Sequence, residues 1–228
     1  MGLGLEISRL EVRAQQSSRM LLSVDALSIV PGTCLGVRGP SGAGKSTFLF
    51  AVAGLSENAT GTVAWDETNL LDLSSEERAA FRRRHVGMIF QDFLLFEELS
   101  AHANASLPAA YARGPRRREI PDAAAGMLER LGVPPGDRTV ESFSGGERQR
   151  VAVARALAAD PGVILADEPT ASLDRATADR LIDDLVRLVR AEGKTMVAVS
   201  HDPAVYQRMD RIVEIVDGRI ASDTFAHV

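Results

Sequence analysis

Two stretches near the start of the chain, Leu5 to Val12 and Leu22 to Ile29, alternate apolar and polar residues. That period of two predicts strands with one wet face. Pro31-Gly32 turns the chain into Leu35-Gly36-Val37-Arg38, a short strand, and Ser46 to Ala53 reads as a helix ended by Gly54. Gly61 to Trp65 predicts another strand, with the single Trp read as surface packing. Ser74/Ser75 followed by Glu77/Arg78 marks a helix start leading into Arg82-Arg83-Arg84, and Val86 to Phe90 predicts a buried strand that ends at Gln91.

From about Asp92 to Val140 the pattern changes: Ala-rich, poor in β-branched residues, and broken by five prolines. It predicts a mostly helical insertion, with short helices around Leu99–Leu107 and Asp122–Leu131. Arg113 to Arg118 is most simply a solvated loop, with contact to lipid head groups as the sharper alternative. Ser144 to Ala158 reads as one helix, and Val163 to Ala166 as an apolar strand. Asp174 caps a helix whose apolar residues keep helical spacing to Gly193. Thr195 to Val199 is a further buried strand, and Ile212–Val216, Asp217-Gly218 and Arg219–Ser222 form a terminal hairpin. Strands alternating with helices predict a largely parallel sheet covered on both faces.

Within this frame one stretch carries chemistry by itself. Gly39-Pro40-Ser41-Gly42-Ala43-Gly44-Lys45-Ser46-Thr47 matches G-x-x-x-x-G-K-[ST], set between a strand and a helix. Small residues let the backbone N–H groups wrap an anion, and the helix start adds a favourable dipole. Lys45 is expected to reach the β/γ-phosphates and Ser46 to hold Mg²⁺. Composition sharpens the point, because the chain holds 24 Arg and only two Lys, Lys45 and Lys194. A compact ammonium suits a tight loop that a planar guanidinium does not.

The remaining bulk properties only set bounds. A length of 228 residues allows one large α/β domain or a core with an insertion. The net charge of −5 argues against a general nucleic-acid binder. One cysteine, Cys34, excludes an intrachain disulfide and reads as buried filler. There is no signal-peptide pattern and no apolar run long enough to span a bilayer, so work at a membrane would need an anchor elsewhere.

Five further stretches follow the phosphate loop: Gln91 after a strand, Ser144-Gly145-Gly146-Glu147-Arg148-Gln149-Arg150, Ala166-Asp167-Glu168-Pro169, Ser172-Leu173-Asp174 and Ser200-His201-Asp202. In this order they resemble the ATP-binding subunits of ABC transporters over essentially the whole chain. The resemblance implies a P-loop NTPase core of α/β class with a mainly parallel sheet, an N-terminal antiparallel β subdomain and an inserted α-helical subdomain. The core would take residues 1–91 and 159–228, and the insertion about 92–158. It makes Asp167 the Mg²⁺-side carboxylate, Glu168 the general base, His201 the γ-phosphate sensor, and Gln91 a contact to Mg²⁺ and the attacking water. Ser144, Gly145 and Gly146 would complete the ATP site of a second, identical subunit, with Asp174 serving as helix cap and cross-dimer contact. Ser144 with Glu147 equally reads as a capping box. The partner implied is a transmembrane permease, which would hold the chain at the cytoplasmic face of the cell membrane. A regulatory module that signals through a membrane partner without transport has the same site residues.

Departures from the family pattern are specific. Residues 1–47 hold no Phe, Tyr, Trp or His to stack on adenine, so that stacking is either weak or supplied by Arg13, in the Val12–Ala14 region. Phe143 replaces the usual Leu, and Glu147 the common Gln. The latter resembles the subgroup for lipoprotein release, macrolide export and cell division, as does Val86 to Pro108. Arg38, directly before the phosphate loop, has no explanation at this level.

Overall fold

A computed structural model describes residues 1–15, 17–171 and 173–225. The two alternating stretches are β1 (Leu5–Arg13) and β2 (Met20–Ile29), paired antiparallel with Leu5 opposite Ile29 and Val12 opposite Leu22. The buried positions alternate in two runs, Leu5/Ile7 and Leu10/Val12 in β1 against Leu27/Ile29 and Leu22/Val24 in β2. A step of three separates the runs in each strand, in β1 at Arg9, whose φ is 49°, so buried residues stay opposite buried residues. The phosphate-loop strand β3 (Cys34–Arg38) follows, and β4 (Ala59–Trp65) pairs with the free edge of β1. The two-residue β5 (Thr68–Asn69) closes that edge.

The other half of the sheet is parallel. β6 (Val86–Ile89) lies beside β7 (Val163–Asp167), which lies beside β8 (Thr195–Val199), which lies beside β3. β9 (Arg211–Val216) runs parallel to β3 and turns at Asp217-Gly218 into antiparallel β10 (Arg219–Phe225), which meets β2 at Arg219 and Ser23. The ten strands form one sheet in the order β5-β4-β1-β2-β10-β9-β3-β8-β7-β6.

Two apolar cores sit on opposite faces of this sheet. In β8, fully buried along its length, Met196 and Ala198 belong to one core and Val197 and Val199 to the other. Helix α1 (Lys45–Val52) fills the second core with Phe48, Leu49 and Val52, while α2 (Ser75–His85) lies over it with no buried residue of its own. The first core takes α3 (Ala101–Ala105), α4 (Arg116–Arg130), α5 (Gly145–Leu157) and α6 (Arg175–Ala191). A last short helix, α7 (Pro203–Tyr206), follows β8. Cys34 is buried as expected, and burial pushes its thiol up to about 11.

Four expectations need correction. Trp65 is not surface packing: it is 1% exposed in the second core, and its indole N–H donates to the Val52 carbonyl at 2.8 Å. Arg116 to Arg118 are not loop residues but the first turn of α4, which starts after Pro115 and runs through Pro121. The Arg116 guanidinium donates to the Ala159 carbonyl, a contact that holds that turn to the core. The strand at Val86 is an edge strand with Val86 and Met88 only half covered. The helix expected over Leu99–Leu107 is shorter, Ala101–Ala105, followed by a 3₁₀ turn over Leu107–Ala110.

Two oddities of composition resolve into structure. Arg38 faces Glu214 across the β3–β9 register, Nη2 to Oε2 at 3.0 Å, a half-exposed pair of modest weight. Lys194 is 2% exposed and donates to the Pro161 carbonyl at 2.8 Å and to Asp160. One lysine of the two is therefore structural, and only Lys45 remains for chemistry.

Candidate nucleotide site

The carboxyl ends of the parallel strands converge where an open α/β sheet places its ligands. Val37 lies level with Val199, and Val199 with Asp167. So the segments beginning at Gly39, Glu168 and Ser200 leave the sheet side by side, with Gln91 two residues beyond the end of β6. They bound a cavity of about 700 Å³.

One wall is the loop from Gly39 to Thr47. At Gly39, φ is 149° and a Cβ would come within 2.0 Å of the Ile215 carbonyl, so no other residue fits. Gly44, also at positive φ, starts α1 without a side-chain cap, and no acidic residue lies in the first turn. The bare N–H groups of that turn and its dipole are thus left for an anion. The Lys45 ammonium donates to the carbonyls of Gly39 at 2.9 Å and Pro40 at 3.0 Å, which folds it over the mouth of its own loop. Ala43 accepts from the Gly218 amide at 2.9 Å, so the β9–β10 turn braces the loop from behind.

The opposite wall carries the acids. The Ser46 hydroxyl donates to Asp167 Oδ1 at 3.4 Å across the cavity. Burial pushes the Asp167 carboxyl above its ordinary range, with the Glu168 charge adding and the Ser46 hydrogen bond opposing. A partly buried carboxylate held like this favours a cation beside it. The donor set available is a hydroxyl, one carboxylate and the Gln91 amide oxygen, all hard oxygens. Among the described residues no group of three His, Cys, Asp or Glu side chains has metal-holding geometry.

Glu168 is held from three sides. Its backbone is left-handed at φ 47°, its amide donates to the Val199 carbonyl at 2.9 Å, and the Ser200 hydroxyl donates to Oε2 at 3.2 Å. The His201 Nδ1 lies 2.8 Å from Oε1, while the ring itself stays exposed. Tyr206 donates its hydroxyl to the Ser200 carbonyl, and burial with the nearby Glu168 charge pushes that phenol up. Arg175, at the start of α6, donates to Asp202 at 2.8 and 3.0 Å, which fixes the segment after His201.

The cavity therefore brings together Gly39, Ser41, Gly42, Gly44, Lys45, Ser46, Thr47, Gln91, Asp167, Glu168 and His201. Pro40 and Ala43 belong to the loop but serve it through their backbones. Ser144, Gly145, Gly146 and Asp174 do not line the cavity. They gather elsewhere, at the adjoining starts of α5 and α6, where a Cβ on Gly146 would come within 2.9 Å of Thr177 Cγ2. The capping box read from the sequence forms: Ser144 accepts from the Glu147 amide at 3.3 Å, and Glu147 from the Ser144 amide at 2.8 Å. Arg138 adds a 2.7 Å bond to Glu147 and stacks over Phe143 at 4.4 Å. The hydrogen bonds to Ser144 and Arg138 hold the Glu147 carboxyl below its usual range, despite some burial. Asp174 caps α6 through the Thr177 amide at 3.1 Å, and Ser172 of the same motif lies outside the described residues.

Sequence reasoning missed several lining residues. Arg19, Met20, Leu21 and Asp217 carry no motif and reach the cavity only because β2 and the β9–β10 turn pack beside the loop. A smaller cavity of about 210 Å³ shares Leu21 and Thr47 with the first and is lined by Val12, Arg13, Ala14 and Phe50. Arg13 is tied down there by Glu11 at 2.9 Å and the Ser18 carbonyl at 3.2 Å. Phe50 brings an aromatic ring from the far side of the phosphate loop.

Similarity to known proteins agrees with this geometry. The family model described as ABC transporter matches residues 22–171. The lipoprotein-releasing system ATP-binding protein LolD of Novosphingobium aromaticivorans is 42% identical over 193 residues, covering 84% of this chain and 86% of that protein. The macrolide export ATP-binding/permease protein MacB 1/2 of Paracoccus denitrificans is 44% identical over 211 residues, but this chain spans only 30% of its length. Among solved structures, the ATP-binding cassette MJ0796, as a dimer in a post-hydrolysis state bound to ADP and Pi, superposes with a TM-score of 0.85. It is 30% identical, with 98% of this chain and 99% of that one covered. The phosphate loop, the paired acids at the end of β7 and the separate Ser-Gly-Gly helix tip therefore have one common explanation: the chain belongs to the ABC transporter family, as its ATP-binding and ATP-hydrolysing cassette.

Proposed function

We propose that two copies of this chain close head to tail around two Mg·ATP, each copy's Ser144-Gly145-Gly146 tip completing the site of the other. The observation that carries this is that the phosphate loop, Gln91, Asp167, Glu168 and His201 line one cavity, while the start of α5, with Gly145 and Gly146 in its first turn and its outward dipole, stands apart from it. An identical second copy brings that helix start to the γ-phosphate. Within each site Lys45 neutralises the β/γ-phosphates and Glu168 takes the proton of the attacking water. His201 and Ser200 orient that carboxylate, and Gln91 steadies the water. Ser46, Asp167 and Gln91 would hold Mg²⁺, which usually keeps several waters and takes one or two carboxylates plus phosphates, as this donor set allows. When bound, the ion supplies charge neutralisation between the β- and γ-phosphates. The base sits beyond Thr47, against Arg13 and Phe50.

If the site needs two chains, ATP hydrolysis per chain should rise with chain concentration. Chelation of the divalent ion should remove it. Turnover that is flat in protein concentration from the nanomolar range upward would argue for a self-sufficient single chain.

The helical segment of about 92–158 is proposed as the subdomain that swings on nucleotide binding. Among the described residues no helix is long and apolar enough to cross a membrane. Similarity to the lipoprotein-releasing and macrolide-export proteins supports a permease of that kind as the partner. Such a permease would hold the cassette at the cytoplasmic face of the cell membrane. Its docking surface is the turn after Gln91, where Leu94 is 56% exposed and Phe96 57%. Placing Asp at both Leu94 and Phe96 should cut the membrane protein recovered with a tagged chain by about tenfold. Thermal melting of the same variant checks that it is folded, and undiminished recovery would move the docking surface elsewhere.

A further inference from the structure

The turn that presents Leu94 is held in an unfavourable shape. Phe93 and Leu94 are consecutive non-glycine residues in the left-handed region, at φ 59° and 49°. Such conformations persist only where the surroundings over-determine them. The turn's own bonds, Phe93 amide to Phe90 carbonyl and Leu94 amide to Asp92 carbonyl, leave the carbonyls of Phe93 and Leu94 pointing toward α5. There the Arg155 guanidinium meets both, donating through Nη2 to Phe93 O at 2.7 Å and through Nη1 to Leu94 O.

Arg155 is a costly residue to place there. It is half-buried, and desolvation alone lowers its pKa, with no charged neighbour contributing. Its charge is thus spent on two backbone oxygens, and only the planar fork of Arg matches two adjacent carbonyls at once. Further along, the buried Asn104 side chain accepts from the Phe96 amide at 2.8 Å and donates to the Phe96 carbonyl at 2.9 Å. Arg148 of α5 adds a bond to Glu97 at 2.9 Å. The side-chain anchors of the segment after Gln91 are thus on α3 and α5, with the amides of Glu141 and Val140 adding backbone bonds to the Glu97 and Leu99 carbonyls, and α5 is the helix that begins with Gly145 and Gly146.

We propose that Arg155 is a positioning residue that locks the Phe93–Leu94 turn to α5, so that Gln91 at the nucleotide, the exposed Leu94 and Phe96, and the Ser144–Gly146 tip shift as one body. The proposal rests on the sandwich and docking reading above, but its test needs neither permease nor partner capture. A guanidinium fork is the mechanical link by which closure at the nucleotide reaches the outer surface, and the outer surface reaches the helix tip.

Arg155→Lys keeps the charge and removes the fork. Hydrogen exchange in this variant should be at least about tenfold faster at the amides of Phe93 to Phe96, with α5 itself protected as in the parent. Mg·ATP affinity should stay within about twofold and saturated turnover fall about tenfold, a split that general destabilisation would not give. Adding Leu94→Asn, a residue that tolerates left-handed backbone, should restore most of the protection. A second variant leaves α5 untouched: Leu94→Val puts a β-branched residue into the left-handed turn at an exposed site, and should loosen the same amides. Unchanged exchange at Phe93 to Phe96 in both variants overturns the proposal. So does exchange that rises equally along α5, since Arg155 would then be a packing residue of the helix. If membrane-protein recovery is undiminished in the Leu94/Phe96 variant while these exchange results hold, the docking surface is wrong and the latch stands.

Discussion

Replacing Glu168 by glutamine should lower ATP turnover by about 10²–10⁴-fold, the usual contribution of a positioned base, while nucleotide affinity stays within about threefold. The shape of the site survives the change. The left-handed backbone and the amide bond to Val199 do not depend on the side chain. A glutamine oxygen can still accept from the Ser200 hydroxyl, and its NH₂ can donate to the His201 Nδ1 once that ring takes the other tautomer. What is lost is the capacity to take a proton from water. Bound ATP then persists, and with it the closed pair, because a ligand that favours the closed form holds the population there until it is consumed. Size exclusion of the variant with Mg·ATP should show a dimer that ADP does not support. Turnover within threefold of the parent would remove Glu168 from the base role, and a monomer at every salt concentration would remove the sandwich.

What the sequence disclosed follows from how local each signal is. The phosphate loop is legible because its constraints lie within nine consecutive residues: positive φ at Gly39, Gly42 and Gly44, and one ammonium among them. The β9–β10 turn is legible for the same reason, since Asp217 and Gly218 both take positive φ, as a two-residue hairpin turn of this kind demands. The alternation in β1 and β2 survives because a neighbour covers only one face. Features that failed depend on partners far along the chain. Trp65 reads as a strand-end aromatic until α1 offers the Val52 carbonyl. Pro121 looks like a helix start, and only Arg116 bonding to Ala159 shows that α4 is already under way. Arg155 and Asn104 each look like ordinary helix residues, because the carbonyls they hold are 62 and 8 positions away. The proposed cross-copy role of Ser144 to Gly146 is the extreme case. No pairing within one chain could reveal it, and it came from the family's motif order.

Replacing Lys45 by alanine should weaken ATP binding by at least about 100-fold, the loss of roughly two charge-assisted hydrogen bonds to phosphate. The ammonium is already delivered: its donors rest on the Gly39 and Pro40 carbonyls at 2.9 and 3.0 Å, so a nucleotide has only to add its β/γ-oxygens to an oriented group. No other residue of the loop is cationic, the chain's remaining lysine is buried against Asp160 and Pro161, and Arg19, which also lines the cavity, comes from outside the loop. Alanine also removes the bonds that fold the loop over its mouth, so the backbone N–H cradle loses its shape along with its charge. Lys45→Arg separates these two contributions. It keeps the charge, but a broad planar fork cannot reproduce the compact ammonium that rests on both the Gly39 and Pro40 carbonyls within a tight loop. Arginine should therefore rescue less than a tenth of the lost affinity, about 1.4 kcal/mol short of the parent or worse. Titration with a fluorescent ATP analogue reads both variants directly. Near-parent affinity in Lys45→Arg would mean that charge alone holds the phosphates, and near-parent affinity in Lys45→Ala would mean that the helix start and the backbone cradle bind them without it.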